Sequence, residues 1–169
     1  MYEEKEERFT TEEVKKGVED FLKYAGYTIL EPKYMGFTRP DIHVTRKEGN
    51  KKHEIVGVIK KDLSLALEGY RELAAAKCSM GNKEVDYALI LPPVSEYFTL
   101  AFLIREEEWW YTIKDHSFMM WLANPEREKV DCLVGWPSDD IFNDFFGAIR
   151  GLDGVLSREA AKKMMDEEF

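Results

Sequence analysis

The sequence predicts an α/β fold in which a small mixed sheet is flanked by helices. Two observations carry this. Apolar residues recur at helical spacing over 10–25 and 63–77, and alternate or run together over the short segments 39–45, 53–60 and 85–91. Glycine, asparagine or proline punctuates the joins between these segments. The resulting order is α-β-β-β-α-β, followed by a mixed tail.

Thr10 and Glu13 have the spacing of a capping box, and Val14, Val18, Phe21, Leu22 and Ala25 then repeat at helical intervals until Gly26, a residue suited to a helix end. An extended stretch over 27–30 is interrupted at Pro32. Over 39–45 the pattern alternates, with Asp41, His43 and Thr45 on one face and Ile42 and Val44 on the other. Glu48-Gly49-Asn50 is turn chemistry, and 53–60, rich in Ile and Val, completes a hairpin. The second helix, 63–77, places Leu63, Leu67, Tyr70 and Ala74 on one face, with Asp62 or Ser64 as its cap and Gly81-Asn82 after it. Residues 85–91 form a continuous apolar run closed by Pro92-Pro93, the pattern of a strand buried on both faces.

Beyond this point the pattern predicts a helix over 96–108, then the aromatic run Trp109-Trp110-Tyr111. Residues 115–123 fit either helix or strand. A break at Asn124-Pro125-Glu126, a strand over 130–134, a loop through Gly135-Trp136-Pro137, a short helical segment over 140–146 and a terminal helix from Ser157 complete the chain. The organisation is a charged tail (1–9), a core (10–93), and an acidic, aromatic-rich extension of the same domain (94–169).

Composition excludes several classes. Of 169 residues, 44% are hydrophobic and 34% charged, enough apolar material for a buried core and too much for a disordered chain. No apolar run approaches the roughly 20 residues of a membrane-spanning helix. Residues 1–8 are almost all charged, so no signal peptide is expected, and Cys78 and Cys132 lack a paired spacing. A cytoplasmic protein without disulfides is the expectation. The net charge of −9 opposes polyanion binding as a whole. Between Arg39 and Lys61, however, seven basic residues face three acids. Arg46, Lys47, Lys51, Lys52 and Lys61 are therefore the candidate nucleic-acid contacts. From Arg105 onward, fifteen acids face eight bases.

The chemistry narrows by elimination. There is no G-x-x-x-x-G-K-[ST] loop and no G-x-S-x-G elbow. His43, His53 and His116 lack the spacing of a helical zinc site. What remains is the hairpin: Asp41 follows Pro40 at the start of one strand, and Lys60 ends its partner. A carboxylate and a lysine can meet at that end, the one to hold Mg²⁺ and the other to orient a water near a phosphodiester.

Over residues 10–93 the element order, Pro40-Asp41 and the strand end Val58-Ile59-Lys60 resemble the PD-(D/E)XK nuclease superfamily, whose fold is restriction-endonuclease-like. The resemblance implies Asp41 as a Mg²⁺ ligand and Lys60 as the residue assisting hydrolysis. It also implies a second carboxylate where this chain has Val58, and a glutamate on the first helix where it has Lys15. The glutamine common on the family's second helix is not evident near Glu68-Gly69-Tyr70.

A displaced acid has three candidate sources: Glu68 on the second helix, Glu54 on the strand, about 13 Å from position 58, and Asp62. His43, on the face of Asp41, is a further candidate ligand. Two functions follow. One is a nuclease-fold domain with a degenerate site, acting as a non-catalytic binding or assembly module. The alternative is a Mg²⁺-dependent nuclease hydrolysing DNA phosphodiesters with a migrated acid. Mg²⁺ is expected only in the second case; without catalysis, Asp41 and Lys60 reduce to an ion pair across neighbouring strands. The rings of Trp109, Trp110, Tyr111, Phe118, Trp121, Trp136, Phe142, Phe145 and Phe146 lie among acids, which favours core packing or a protein contact, such as a homodimer, over base stacking.

Overall fold

The computed structural model describes residues 9–92, 117–125, 129–134 and 137–141. Helix α1 (Thr11–Tyr24) leads into a sheet of six strands: β1 (Thr28–Ile29), β2 (Ile42–Glu48), β3 (Lys51–Ile59), β4 (Asp86–Leu91), β5 (Met119–Asn124) and β6 (Lys129–Val134). Helix α2 (Ala66–Met80), entered through a 3₁₀ turn at Leu63–Leu65, connects β3 to β4. The strands lie side by side in chain order. β1, β2 and β3 form an antiparallel meander. β4 runs parallel to β3 because a helical crossover intervenes, β5 is parallel to β4, and β6 returns antiparallel. This is the α/β arrangement expected from the sequence: among the described residues, a small mixed sheet with a helix on each face.

Alternation along the strands divides the core in two. Ile42, Val44, Ile55, Ile59, Ala88, Ile90, Met119 and Trp121 pack with Val14, Val18 and Leu22 of α1. Val56, Val58, Tyr87, Leu89, Leu91, Met120 and Leu122 pack with Ala66, Tyr70, Leu73 and Ala76 of α2.

The local signals of α1 hold in detail, whereas α2 has Leu65 rather than Asp62 or Ser64 as its cap, and Leu67, expected on its buried face, is exposed. The Thr10 hydroxyl accepts from Glu13 N at 3.1 Å, and the Glu13 carboxylate accepts from Thr10 N at 2.8 Å. At the other end of α1, Gly26 N donates to Lys23 O and Tyr27 N to Leu22 O, the paired bonds of a Schellman ending.

Boundaries moved where charged residues pair across the hairpin. β2 and β3 extend through Lys47↔Lys52 and Glu48↔Lys51, beyond their apolar segments. In the described part of the 115–123 segment the chain is strand from Met119: Met119 through Ala123 are all buried, with β4 on one side and β6 on the other. Phe118 and Trp121 are core residues. The helices expected over 96–108 and from Ser157, the run Trp109-Trp110-Tyr111, Trp136, and the rings at Phe142, Phe145 and Phe146 lie outside the described residues.

Candidate functional site

Antiparallel pairing of β2 with β3 sets the start of one strand beside the end of the other, with Ile42 opposite Gly57. Asp41, immediately before β2, and Lys60, immediately after β3, therefore come to the same end of the hairpin. Asp41 turns inward: its Oδ2 accepts from Ile59 N at 2.8 Å. The Lys60 side chain is mostly covered and its ammonium lies between two glutamates of α2, 3.4 Å from Glu68 Oε1 and in direct contact with Glu72 Oε2. The other Glu72 oxygen accepts from the Thr38 hydroxyl at 2.8 Å.

Gly69 makes this approach fit. A Cβ there would lie 2.5 Å from Leu89 Cδ1 and 3.3 Å from Lys60 Cγ. Without one, α2 lies close on β4 and carries Glu68 and Glu72, one turn apart, to Lys60.

Burial pushes the Asp41 carboxyl above its usual range. The Ile59 N–H and Lys15 oppose that shift, Glu72 adds to it, and Lys60 opposes it. For Lys60, burial disfavours the charge, but Glu72 and then Glu68 outweigh it and hold the ammonium above the ordinary lysine value.

The Asp41 shift has a stability consequence. A carboxyl whose folded pKa is raised destabilises the fold when ionised; that cost is absent below the unfolded pKa and complete above the folded one. Asp41→Asn keeps an oxygen for the Ile59 N–H and removes the charge. It is expected to melt higher than the parent at pH 7, with the gain fading below about pH 4, as thermal melts at both pH values would read.

The remaining sequence candidates are dispersed. Val58 is 1% exposed and packs in the α2-side core. Glu54 is buried further back on β3, 2.5 Å from His43 Nε2 and 3.7 Å from Lys52 Nζ. Asp62 accepts from the N–H and hydroxyl of Ser64, so it shapes the entry to α2. Lys47, Lys51 and Lys52 are exposed at the β2–β3 turn, while exposed Lys61 lies beyond the opposite end of β3, roughly 30 Å of strand away. The basic segment thus divides into two ends. Arg46 belongs to neither, because its guanidinium holds Asp139 through Nε at 2.7 Å and Nη2 at 2.6 Å.

Glu72 and Thr38 were not singled out by sequence; the signal for Glu72 was its i,i+4 relation to Glu68. The Asp139 cluster had no such signal. Asp139 is fully buried and accepts from Arg46, from the Tyr27 hydroxyl at 2.7 Å and from Ile141 N at 3.1 Å. Burial raises its pKa, but the bonds from Arg46, Tyr27 and Ile141 prevail and hold it at about 2. Ligand atoms of Glu48, His53 and Asp139 lie within 4.8 Å of one another, a spacing that could take a metal ion. The Arg46 guanidinium already binds the same Glu48 and Asp139 oxygens, so the cluster is an ion-pair network.

No family model matches the chain, and neither does any curated protein. Among solved structures, it is similar to a fdxN element excision controlling factor protein from Anabaena variabilis (TM-score 0.49, 12% identity, covering 70% of this chain and 95% of that one). It is also similar to an XisH family protein from Nostoc punctiforme PCC 73102 (TM-score 0.45, 12% identity, with the same coverages). No helix among the described residues is long and apolar enough to cross a membrane.

Proposed function

We propose that the chain is a PD-(D/E)XK-type nuclease-fold module whose catalytic positions have passed to structural use, and that it serves as a cytoplasmic binding or assembly domain. The observation carrying this reading is Val58: the position of the second carboxylate is an apolar side chain in the core beneath α2. The neighbouring groups support it. Asp41 is engaged by the Ile59 N–H, and its raised pKa weakens it as a ligand for a hard cation. Lys60, which would face the attacking water in an active centre, is neutralised by Glu68 and Glu72. As they stand, these donors do not fit a Mg²⁺ site.

One observation favours the second reading, a Mg²⁺-dependent nuclease acting on DNA. Glu72 lies close enough to Asp41 to raise its pKa, so an acid carried on α2 could replace the one absent from β3 if Lys60 released it.

Calorimetric titration of the purified chain with Mg²⁺ and Mn²⁺ separates the two, with Asp41→Ala and Glu72→Gln as controls. No saturable binding up to about 10 mM, and no cleavage of single- or double-stranded DNA, is expected; a millimolar or tighter site is what a working Mg²⁺ centre would need. Saturable binding that both substitutions abolish, accompanied by cleavage, would establish the nuclease instead.

A further inference from the structure

Between β1 and β2 the chain makes a second, smaller hairpin. Met35 N donates to Thr38 O at 2.7 Å and Thr38 N to Met35 O at 3.3 Å, closing a two-residue turn of Gly36 and Phe37. Gly36 has φ 65°, a backbone region that favours glycine, and a Cβ there would touch Ala75 of α2 at 3.4 Å. The turn is anchored at three points: Met35 in the α2-side core, Thr38 hydrogen-bonded to Glu72, and Gly36 against α2.

On this anchored turn two large rings face solvent, Tyr34 and Phe37, each 71% exposed. Three exposed cations lie along the same segments, against one exposed acid of the turn's approach, Glu31. Lys33 precedes Tyr34, and Arg39 follows Thr38, the residue bridged to Met35. Arg71 is exposed one helical turn before Ala75. Of the nearby acids on α2, Glu68 and Glu72 are engaged by Lys60.

Rings on a rigid support with cations beside them are the elements of a stacking platform: the rings meet unpaired bases and the cations meet the phosphates between them. A protein partner would be met by rings as well, but only an acidic one would be met by Lys33, Arg39 and Arg71. We infer that the 33–39 hairpin is a binding site for single-stranded nucleic acid, with Tyr34 and Phe37 stacking on bases and Lys33, Arg39 and Arg71 contacting the backbone. The inference rests on the reading of the chain as a binding module and names its partner.

The test is fluorescence anisotropy of the full chain with labelled 20-mers of dT and U and with a 20-base-pair duplex. It is run without divalent ions, at about 50 mM salt where phosphate contacts are strong. Both single strands are expected to bind more tightly than the duplex. Phe37→Ala and Tyr34→Ala should each weaken single-strand binding on the order of tenfold at an unchanged melting temperature. Arg39→Gln should lower the salt dependence, whereas Lys23→Gln, exposed on α1 across the sheet, should leave affinity unchanged.

Binding that survives both ring substitutions and falls with Lys47, Lys51 or Lys52 would overturn the inference while keeping a nucleic-acid partner. Absence of binding by the parent would overturn it too. If sedimentation then showed a dimer that Phe37→Ala disrupts, the assembly half of the proposed function would survive. Cleavage of these strands on adding Mg²⁺ would refute the non-catalytic reading and leave the hairpin assignment intact.

Discussion

Asp139→Ala is expected to cost about 3–5 kcal/mol of unfolding free energy, because it removes the buried carboxylate that pairs with Arg46 and leaves the guanidinium only the exposed Glu48. Arg46 gives two hydrogen bonds to this carboxylate, and the Tyr27 hydroxyl and Ile141 N–H give one each. The bonds also tie the 137–141 segment to β2 and the end of α1, a tie reinforced by Ser138, whose N–H and hydroxyl both donate to Asp86. Urea unfolding at pH 7 reads the loss directly, and a change below about 1 kcal/mol would show the pair to be a surface contact. The pH dependence supplies a second readout. The folded pKa of Asp139, about 2, lies below the ordinary carboxylate value. Its stabilisation is therefore complete above about pH 4 and is lost as the pH falls through the folded pKa. The gap between parent and variant should accordingly narrow as the pH approaches 2.

This network illustrates what a single sequence can and cannot display. Arg46 reads as one member of a basic stripe because its neighbours along the chain are lysines. Its partner is 93 residues away, in a segment whose position follows from packing rather than from local pattern. By contrast, α1 was legible at both ends, since Thr10, Glu13 and Gly26 satisfy its terminal groups with bonds made within a few residues. β4 was legible for the same local reason, as an uninterrupted apolar run between turn residues. β5 was not: a strand covered on both faces has no period, as in β4, and here no glycine or proline precedes the apolar run to mark its start.

The candidate site divides along the same line. Asp41 and Lys60 stand out through Pro40-Asp41, the strand ends and the length of the hairpin between them. Glu72 does not, because its place beside Lys60 depends on how closely α2 docks on β4. That closeness is set by the missing Cβ of Gly69 against Leu89, a contact between elements twenty residues apart.

Val58→Glu, which writes the absent acid back into position, is expected to destabilise the fold by roughly 3 kcal/mol or more without creating a metal site. Val58 is 1% exposed among Val56, Tyr70, Leu73, Leu89 and Leu91, and this apolar cluster offers a longer, charged side chain neither room nor a donor. Desolvation would push the introduced carboxyl's pKa upward, so its cost should be largest at neutral pH and shrink as the pH falls through the raised value. Val58→Thr, nearly equal in volume but bearing a hydroxyl, separates polarity from overpacking and should lose less. The informative comparison is urea unfolding of Val58→Glu with and without about 10 mM Mg²⁺. An ion that binds only the folded state adds stability in proportion to its affinity, so a carboxylate beside Asp41 at a latent centre would be rescued by the metal. Equal midpoints with and without Mg²⁺ are expected. Rescue that Asp41→Ala then cancels would mean that position 58 opens on the cleft, and would return the chain to the nucleases.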